Sequence, residues 1–230
     1  MLSVIIPTLD AERTLPRTLS CLVTPTVQGL VREVIVVDGG SRDQTALIAE
    51  ETGARFLTAS KGWGSQMRAG AAAARSAWLL FLHADTALDP GWSDEASAFM
   101  SACERAEMAP ERAGVFRFAL DDFGAGARWL ERLVAFRTSL FGIPYGDQGL
   151  IIPKRFYDRI GGHPQQPLME DVAIIRAVGR HRLVQFRTAA VTSPARYKKG
   201  GYLFRPLRNF ACLSLYLLGV SPEIIARISS

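Results

Sequence analysis

Four short apolar runs, evenly interrupted by segments of helical periodicity, limit what this chain can fold into. Leu2–Pro7, Glu33–Asp38, Ala54–Thr58 and Ala77–Leu82 are of strand length and rich in β-branched and aliphatic residues. Between them, Arg13–Leu22, Asp43–Glu51 and the Ala-rich Ser65–Arg75 carry apolar residues at helical spacing. The resulting β-α-β-α-β-α-β order predicts an α/β domain with a mainly parallel central sheet and helices on both faces. Right-handed crossovers then bring the strand tips, with Thr8, Asp38 and Asp85, to one edge, where parallel sheets bind ligands. The second half reads less regularly. Helices are predicted near Ser93–Glu107, Ala127–Phe141, Lys154–Ile160 and Asp171–Gly179, strands at Gly114–Leu120, Gly149–Ile152 and Leu183–Phe186, and a helical region at the end.

With 230 residues, 48% of them hydrophobic, the chain has enough material for a substantial core. No repeat or polar linker marks a boundary, so the reading is one domain over residues 1–200, with a nucleotide-binding half (1–110) and an acceptor-binding half (111–200). An amphipathic helical tail follows at 201–230. Cys21, Cys103 and Cys212 are far apart and show no C-x-x-C spacing, which points to reduced thiols rather than a zinc site or disulfides. The start of the sequence has no basic, cleavable apolar segment, and the expected location is the cytoplasm. Charge is unevenly distributed. From Arg176 onward there are ten Lys or Arg against one acid, Glu223, so that segment carries +9 of a chain total of +5 and the rest about −4. Together with Phe204, Leu207, Phe210, Leu213, Leu217 and Leu218, this suits an anionic membrane surface at the inner face of the cell membrane, or a phosphate-bearing substrate. An amphipathic helix packed back on the domain or on a second copy, as in a homodimer, is the alternative. No nucleic-acid recognition motif accompanies the basic residues.

Chemistry-bearing residues cluster at the predicted strand tips. Asp85 ends the run Phe81-Leu82-His83-Ala84-Asp85, where a carboxylate serves either as a metal ligand or as an N-cap. Asp38 is followed by Gly39-Gly40 and then Ser41 and Asp43, a glycine turn that lets backbone approach a ligand, or a plain capped turn. Neither G-x-G-x-x-G nor the P-loop pattern occurs, which argues against a dinucleotide dehydrogenase or an ATPase.

Four motifs in order, Ser3-Val4-Ile5-Ile6-Pro7-Thr8-Leu9-Asp10, Val36-Val37-Asp38-Gly39-Gly40-Ser41-Arg42-Asp43, Phe81-Leu82-His83-Ala84-Asp85 and Met169-Glu170-Asp171-Val172, resemble those of the family 2 glycosyltransferases of GT-A fold. The resemblance implies a nucleotide-sugar donor, most often UDP-linked, a divalent metal (Mg²⁺ or Mn²⁺), inversion at the anomeric carbon and a hydroxyl acceptor. It implies that Pro7, Thr8, Leu9, Asp38, Gly40, Arg68, His83 and Ala84 bind the nucleotide. Asp85 would ligate the metal, Asp171 would act as general base, and Asp147, Gln148 and Glu170 would contact the acceptor or donor sugar. Arg196, with Tyr197 and Lys198, is a candidate for the diphosphate, because arginine forks match phosphate oxygens. Three departures stand out. His83 occupies the place of the first acid of D-x-D, Gly39 that of the usual second acid after the second strand, and the Q-x-x-R-W motif of processive synthases is absent; the last two point to a small non-processive enzyme. The expected acceptor is lipid-linked or otherwise hydrophobic, at the membrane face. A catalytically silent nucleotide-sugar-binding or scaffold protein of the same fold is the alternative.

Overall fold

A computed structural model describes residues 1–105, 111–202 and 204–229, with the side chains at 196, 199, 204, 205 and 229 outside the description. The elements run β1 (Leu2–Thr8), α1 (Leu15–Ser20), α2 (Val23–Val27), β2 (Val31–Asp38), α3 (Thr45–Glu51), β3 (Arg55–Thr58), α4 (Trp63–Ala73), β4 (Trp78–Phe81), β5 (Thr86–Leu88) and α5 (Trp92–Arg105). After these come β6 (Ala113–Leu120), α6 (Ala125–Phe141), β7 (Leu150–Pro153), α7 (Lys154–Arg159), α8 (Glu170–Val178), β8 (Leu183–Thr192), α9 (Ala195–Gly200), α10 (Phe204–Leu217) and α11 (Pro222–Ser229).

The strands form a single eight-stranded sheet in the order β3-β2-β1-β4-β7-β6-β8-β5. β1 is buried along its whole length and pairs in parallel with β2 on one side and β4 on the other. Its side chains alternate between two cores, Val4 and Ile6 with Val36, Leu80 and Phe116 on one face, Ile5 with Ile35, Leu79 and Phe81 on the other. That period-two division requires cover on both faces, and the helices supply it.

Antiparallel pairing then completes the ligand edge. β7 runs against β4 with Leu150 opposite Phe81, so the turn that precedes β7, Gly146–Gln148, lies beside the residues that follow β4. β5 runs against β8 with Thr86 opposite Thr192, and the Ser193 amide donates to the Asp85 carbonyl at 2.9 Å. The ends of β1, β2, β4 and β8 and the start of β7 thus meet at one rim.

Several boundaries differ from the sequence reading for local physical reasons. The helix expected over Arg13–Leu22 is the shorter Leu15–Ser20, and a second short helix, Val23–Val27, follows after Cys21 and Leu22. The strand expected at Leu183–Phe186 extends to Thr192 through an irregularity, where the Glu95 carboxylate accepts from the Arg187 and Thr188 amides and the Thr188 hydroxyl. β5, three residues long, carries no periodicity to read. Of the helix expected at Ser93–Glu107, Ala106 and Glu107 lie outside the described residues. The three cysteines are free, as expected.

The helices α10 and α11 of the expected tail are amphipathic and pack onto the rest of the fold. Cys212, Leu213 and Ile225 are buried in one cluster with Ile143, Met169 and Val172. Among the described residues, no helix is long and apolar enough to cross a membrane.

Gly70 shows how closely α4 seats on the sheet. A Cβ there would lie 2.4 Å from Ile5 Cγ2 and 3.0 Å from Val37 Cγ2. Gly70→Ala is expected to lower stability by about 1–3 kcal/mol through overpacking, outweighing the gain of about 1 kcal/mol in helix propensity. Denaturant unfolding checks this, and a stabilised variant would contradict it.

Candidate active site

The rim begins with a laced pair of turns after β1 and β2. Asp10 adopts a left-handed backbone (φ 51°), its carboxylate accepts from the Arg42 amide at 2.9 Å, and its own amide donates to the Ser41 hydroxyl oxygen at 2.8 Å. The Glu12 amide donates to Asp43, and the Ala11 amide to the Thr45 hydroxyl oxygen, each at 2.9 Å. Asp38 lies at the centre of this lacing. Its carboxylate accepts from the Gly40 and Ser41 amides at 2.8 and 2.7 Å, and from the hydroxyls of Thr8 and Ser41. Burial raises its pKa, but these four hydrogen bonds outweigh the burial and leave it below the ordinary aspartate value. Four donors take up the lone-pair sites of a carboxylate. In this structure Asp38 holds the turn in shape.

Beyond that turn opens a cleft of roughly 440 Å³. Its walls carry His83 and Asp85 from the segment after β4, Asp147 from the turn before β7, and Glu170 and Asp171 from the start of α8. The centre of the arrangement is Gly146, whose amide donates to Asp171 Oδ2 at 3.1 Å. A Cβ at Gly146 would lie 2.8 Å from His83 Nε2 and 3.6 Å from Asp171 Cβ. The absence of a side chain there is what lets the imidazole and the carboxylate flank one backbone position. His83 is buried and packs edge-on against Trp63 with ring centroids 4.1 Å apart.

The two acids of α8 have unusual proton affinities. Burial pushes Glu170 up to about 7, and the neighbouring Asp171 adds to that. Burial also raises Asp171, against the opposing hydrogen bonds from the Gly146 and Val172 amides. A carboxylate whose proton affinity is raised toward the working pH is better suited to accept a proton in a transition state.

Six of the residues expected at the site line the cleft: Leu9, His83, Asp85, Asp147, Glu170 and Asp171. Others lie elsewhere. Arg68 turns from the cleft, and its guanidinium donates to the backbone carbonyls of Gly161 and His163 at 3.1 and 3.5 Å, fastening α4 to that loop. Gln148 is fully buried, accepting from Thr138 and donating to the Phe116 carbonyl at 3.0 Å, so it ties α6 to β6 and does not line the cleft. Pro7 and Thr8 belong to buried β1, Gly40 to the Asp38 turn, and Ala84 packs on the core. The side chain of Arg196 falls outside the described residues.

The sequence reading missed Lys61, Gln66 and Arg208, which also line the cleft. Gln66 donates from one amide nitrogen to the carbonyls of Thr8 and Val37, closing the β1–β2 tip. Gly62, just after Lys61, adopts φ 134°, a conformation that marks a special turn at the start of α4. Arg208 was legible only as one of many tail charges.

The donor set for a metal is sparse. Among the described residues, no three His, Cys, Asp or Glu side chains are grouped to hold an ion. Asp85 with His83 offers one carboxylate and one imidazole, which fits an ion whose shell is completed by substrate phosphates and water, as is usual for Mg²⁺.

Residues 3–106 match the family model for Glycosyl transferase family 2. Over 95 residues the chain is 36% identical to a PGL/p-HBAD biosynthesis glycosyltransferase of Mycobacterium bovis, a stretch covering 38% of this chain and 36% of that protein. The chain thus spans little more than a third of the length of the curated relatives it matches. In structure it is similar to Staphylococcus aureus TarS 1–349 in complex with UDP-GlcNAc (TM-score 0.61, 17% identity, covering 84% of this chain and 58% of that one). It is also similar to the glucosyl-3-phosphoglycerate synthase of Mycobacterium tuberculosis in complex with Mn²⁺, UDP and glucosyl-3-phosphoglycerate (TM-score 0.58, 18% identity, covering 96% and 81%). The expected GT-A-type α/β architecture is the one observed.

Because Gly146 separates His83 from Asp171, Gly146→Ala is expected to displace one of them while leaving the sheet intact. The expected outcome is a loss of turnover of at least about ten-fold, the scale on which small misplacements act, with a far-UV spectrum like that of the parent. An unimpaired variant would remove this turn from the site.

Proposed function

We propose that this chain is an inverting, metal-dependent glycosyltransferase that moves a sugar from a UDP-linked donor to a hydroxyl acceptor. The observation that carries the reading is the placement of Asp171, a carboxylate of raised proton affinity, across one cleft from Asp85 at the tip of β4. Asp171 would take the proton of the acceptor hydroxyl as its oxygen bonds to the anomeric carbon and the bond to the diphosphate breaks. One base and no protein nucleophile suffice for such a direct displacement. Glu170, held protonated near neutral pH by burial and by its neighbour, leaves the charge on Asp171.

Asp85 and His83 would hold the divalent ion, which when bound supplies positive charge against the departing diphosphate. Lys61 and Arg208 on the same walls add cationic groups for the phosphates. Support for the donor class comes from the structural relatives, whose complexes hold UDP, UDP-GlcNAc or UDP with Mn²⁺. The basic charge and the exposed Leu217, Leu218 and Ile228 of the last helices support work at an anionic membrane surface. A catalytically silent nucleotide-sugar-binding protein is the second reading, favoured by the imidazole of His83 where the family's motif has an acid.

Calorimetry and a donor-hydrolysis assay separate the two. With one carboxylate and one imidazole as ligands, Mn²⁺ alone is expected to bind weakly, and UDP is expected to bind at least ten-fold more tightly with Mn²⁺ than without. Asp85→Asn should erase that difference. Asp171→Asn should retain UDP binding and lose about 10²-fold or more in turnover. Binding of UDP by the parent chain with no hydrolysis or transfer across a panel of UDP-sugars would favour the silent protein.

A further inference from the structure

The cleft shares a wall with a second cavity, of about 330 Å³, between α6 and α10. Tyr145, Asp147, Tyr197 and Asn209 line both, so the second space adjoins the one that holds Asp171. Its character is different. Trp129, Leu133, Phe136 and Phe141 of α6 face Leu207 and Phe210 of α10 across it, and each of these six is 40–60% exposed. Arg137 is the charged side chain on the α6 wall; its guanidinium lies 3.6 Å from the centre of the Tyr145 ring and its Nε donates to the Ile143 carbonyl. Charge is thus gathered at the end next to the cleft, and the far end is apolar. The volume is that of a small-molecule site.

We propose that this groove is the acceptor subsite and that the acceptor is an amphiphile, an alcohol or phenol whose hydroxyl lies at Asp171 and whose alkyl or aryl group lies between α6 and α10. The proposal rests on the transferase reading and deepens it. Two features favour a small molecule over a protein partner: the groove is concave, and it is continuous with a polar cleft that has a use for one hydroxyl. The mixed lining also predicts polarity of binding. A ligand bearing its hydroxyl at one end gains hydrogen-bonding groups near Asp147 and Asn209 while its chain displaces water from the aromatic walls.

The test uses the full chain with UDP and Mn²⁺ present, and 4-alkylphenols from butyl to nonyl as probes. Calorimetric Kd is expected to fall about three- to four-fold for each added methylene until the groove is filled, the increment of burying one such group. Phe210→Glu should abolish that dependence with UDP binding unchanged, and Leu133→Asn, at another exposed wall position, should do the same if the first variant fails to fold. Affinity independent of chain length, or a dependence that survives both folded variants, would overturn the proposal. So would phosphatidylglycerol vesicles whose binding is lost in the variants while alkylphenol binding persists, which would assign this face to a membrane. If alkylphenols bind as expected but the parent chain binds no UDP with Mn²⁺, the transferase reading fails and the groove is an apolar site of another kind.

Discussion

The hydrogen bond from the Gly146 amide to Asp171 Oδ2, 3.1 Å long, is the contact on which the arrangement of the site depends. It joins the turn before β7 to the first turn of α8, two elements separated by a loop and a helix in the chain. Each partner is held in place by something larger. Antiparallel pairing of β7 with β4 fixes Gly146 beside His83. Asp171 is fixed by the unusual start of α8, where Met169 adopts a left-handed backbone with φ 65°. Such a conformation costs a non-glycine residue about 1–3 kcal/mol and persists only where its surroundings enforce it. Here the Met169 side chain is buried against Ile143, Val172 and the tail residues Cys212, Leu213 and Ile225. The tail, whatever it does at a surface, is therefore also a support of the site.

Electrostatics follow from that packing. Two adjacent acids at the start of one helix, one of them buried, do not both hold a charge easily. Burial drives the proton affinity of both acids upward, and the two amide donors at Asp171 favour the anion there. The linkage has a definite sign. Glu170 titrates higher in the folded chain than in the unfolded one, so its contribution to stability is present below the ordinary glutamate range and is lost as pH rises through about 7. Asp38 works in the opposite sense. Its depressed value contributes stability above the ordinary aspartate range, and that contribution is lost as pH falls.

Much of this was legible in the sequence because the first half obeys simple periodicities. The parallel β1, β2, β3 and β4 and the α/β class follow from the strand-length runs, whereas a role for Asp171 beside Asp85 was implied by the resemblance of its motif alone. What the sequence concealed were partners chosen by tertiary structure. Gln148 reads as a polar residue in a glycine-rich turn, yet its amide is used up between Thr138 and the Phe116 carbonyl. Arg68 reads as a helix-face cation near the ligand, yet it serves the carbonyls of a loop more than ninety residues away. Asp38 reads as a ligand contact, and the structure adds a second role, holding the turn through Thr8, Gly40 and Ser41. Lys61, Gln66 and Arg208 carry no motif, and only the fold brings them to the same wall. The groove beside them was hidden for the same reason, since nothing in the sequence places the apolar side of α6 opposite that of α10.

The claim that the fold assigns the anionic, proton-accepting role to Asp171 is tested most directly by the pH dependence of kcat/KM for donor turnover, compared between the parent chain and Glu170→Gln. The account predicts an acid limb in the parent governed by a group titrating above the ordinary aspartate value, and a limb that stays in place in the variant, because Glu170 is already uncharged where Asp171 titrates. An acid limb displaced or lost in Glu170→Gln, or a parent limb at the ordinary aspartate value, would contradict it.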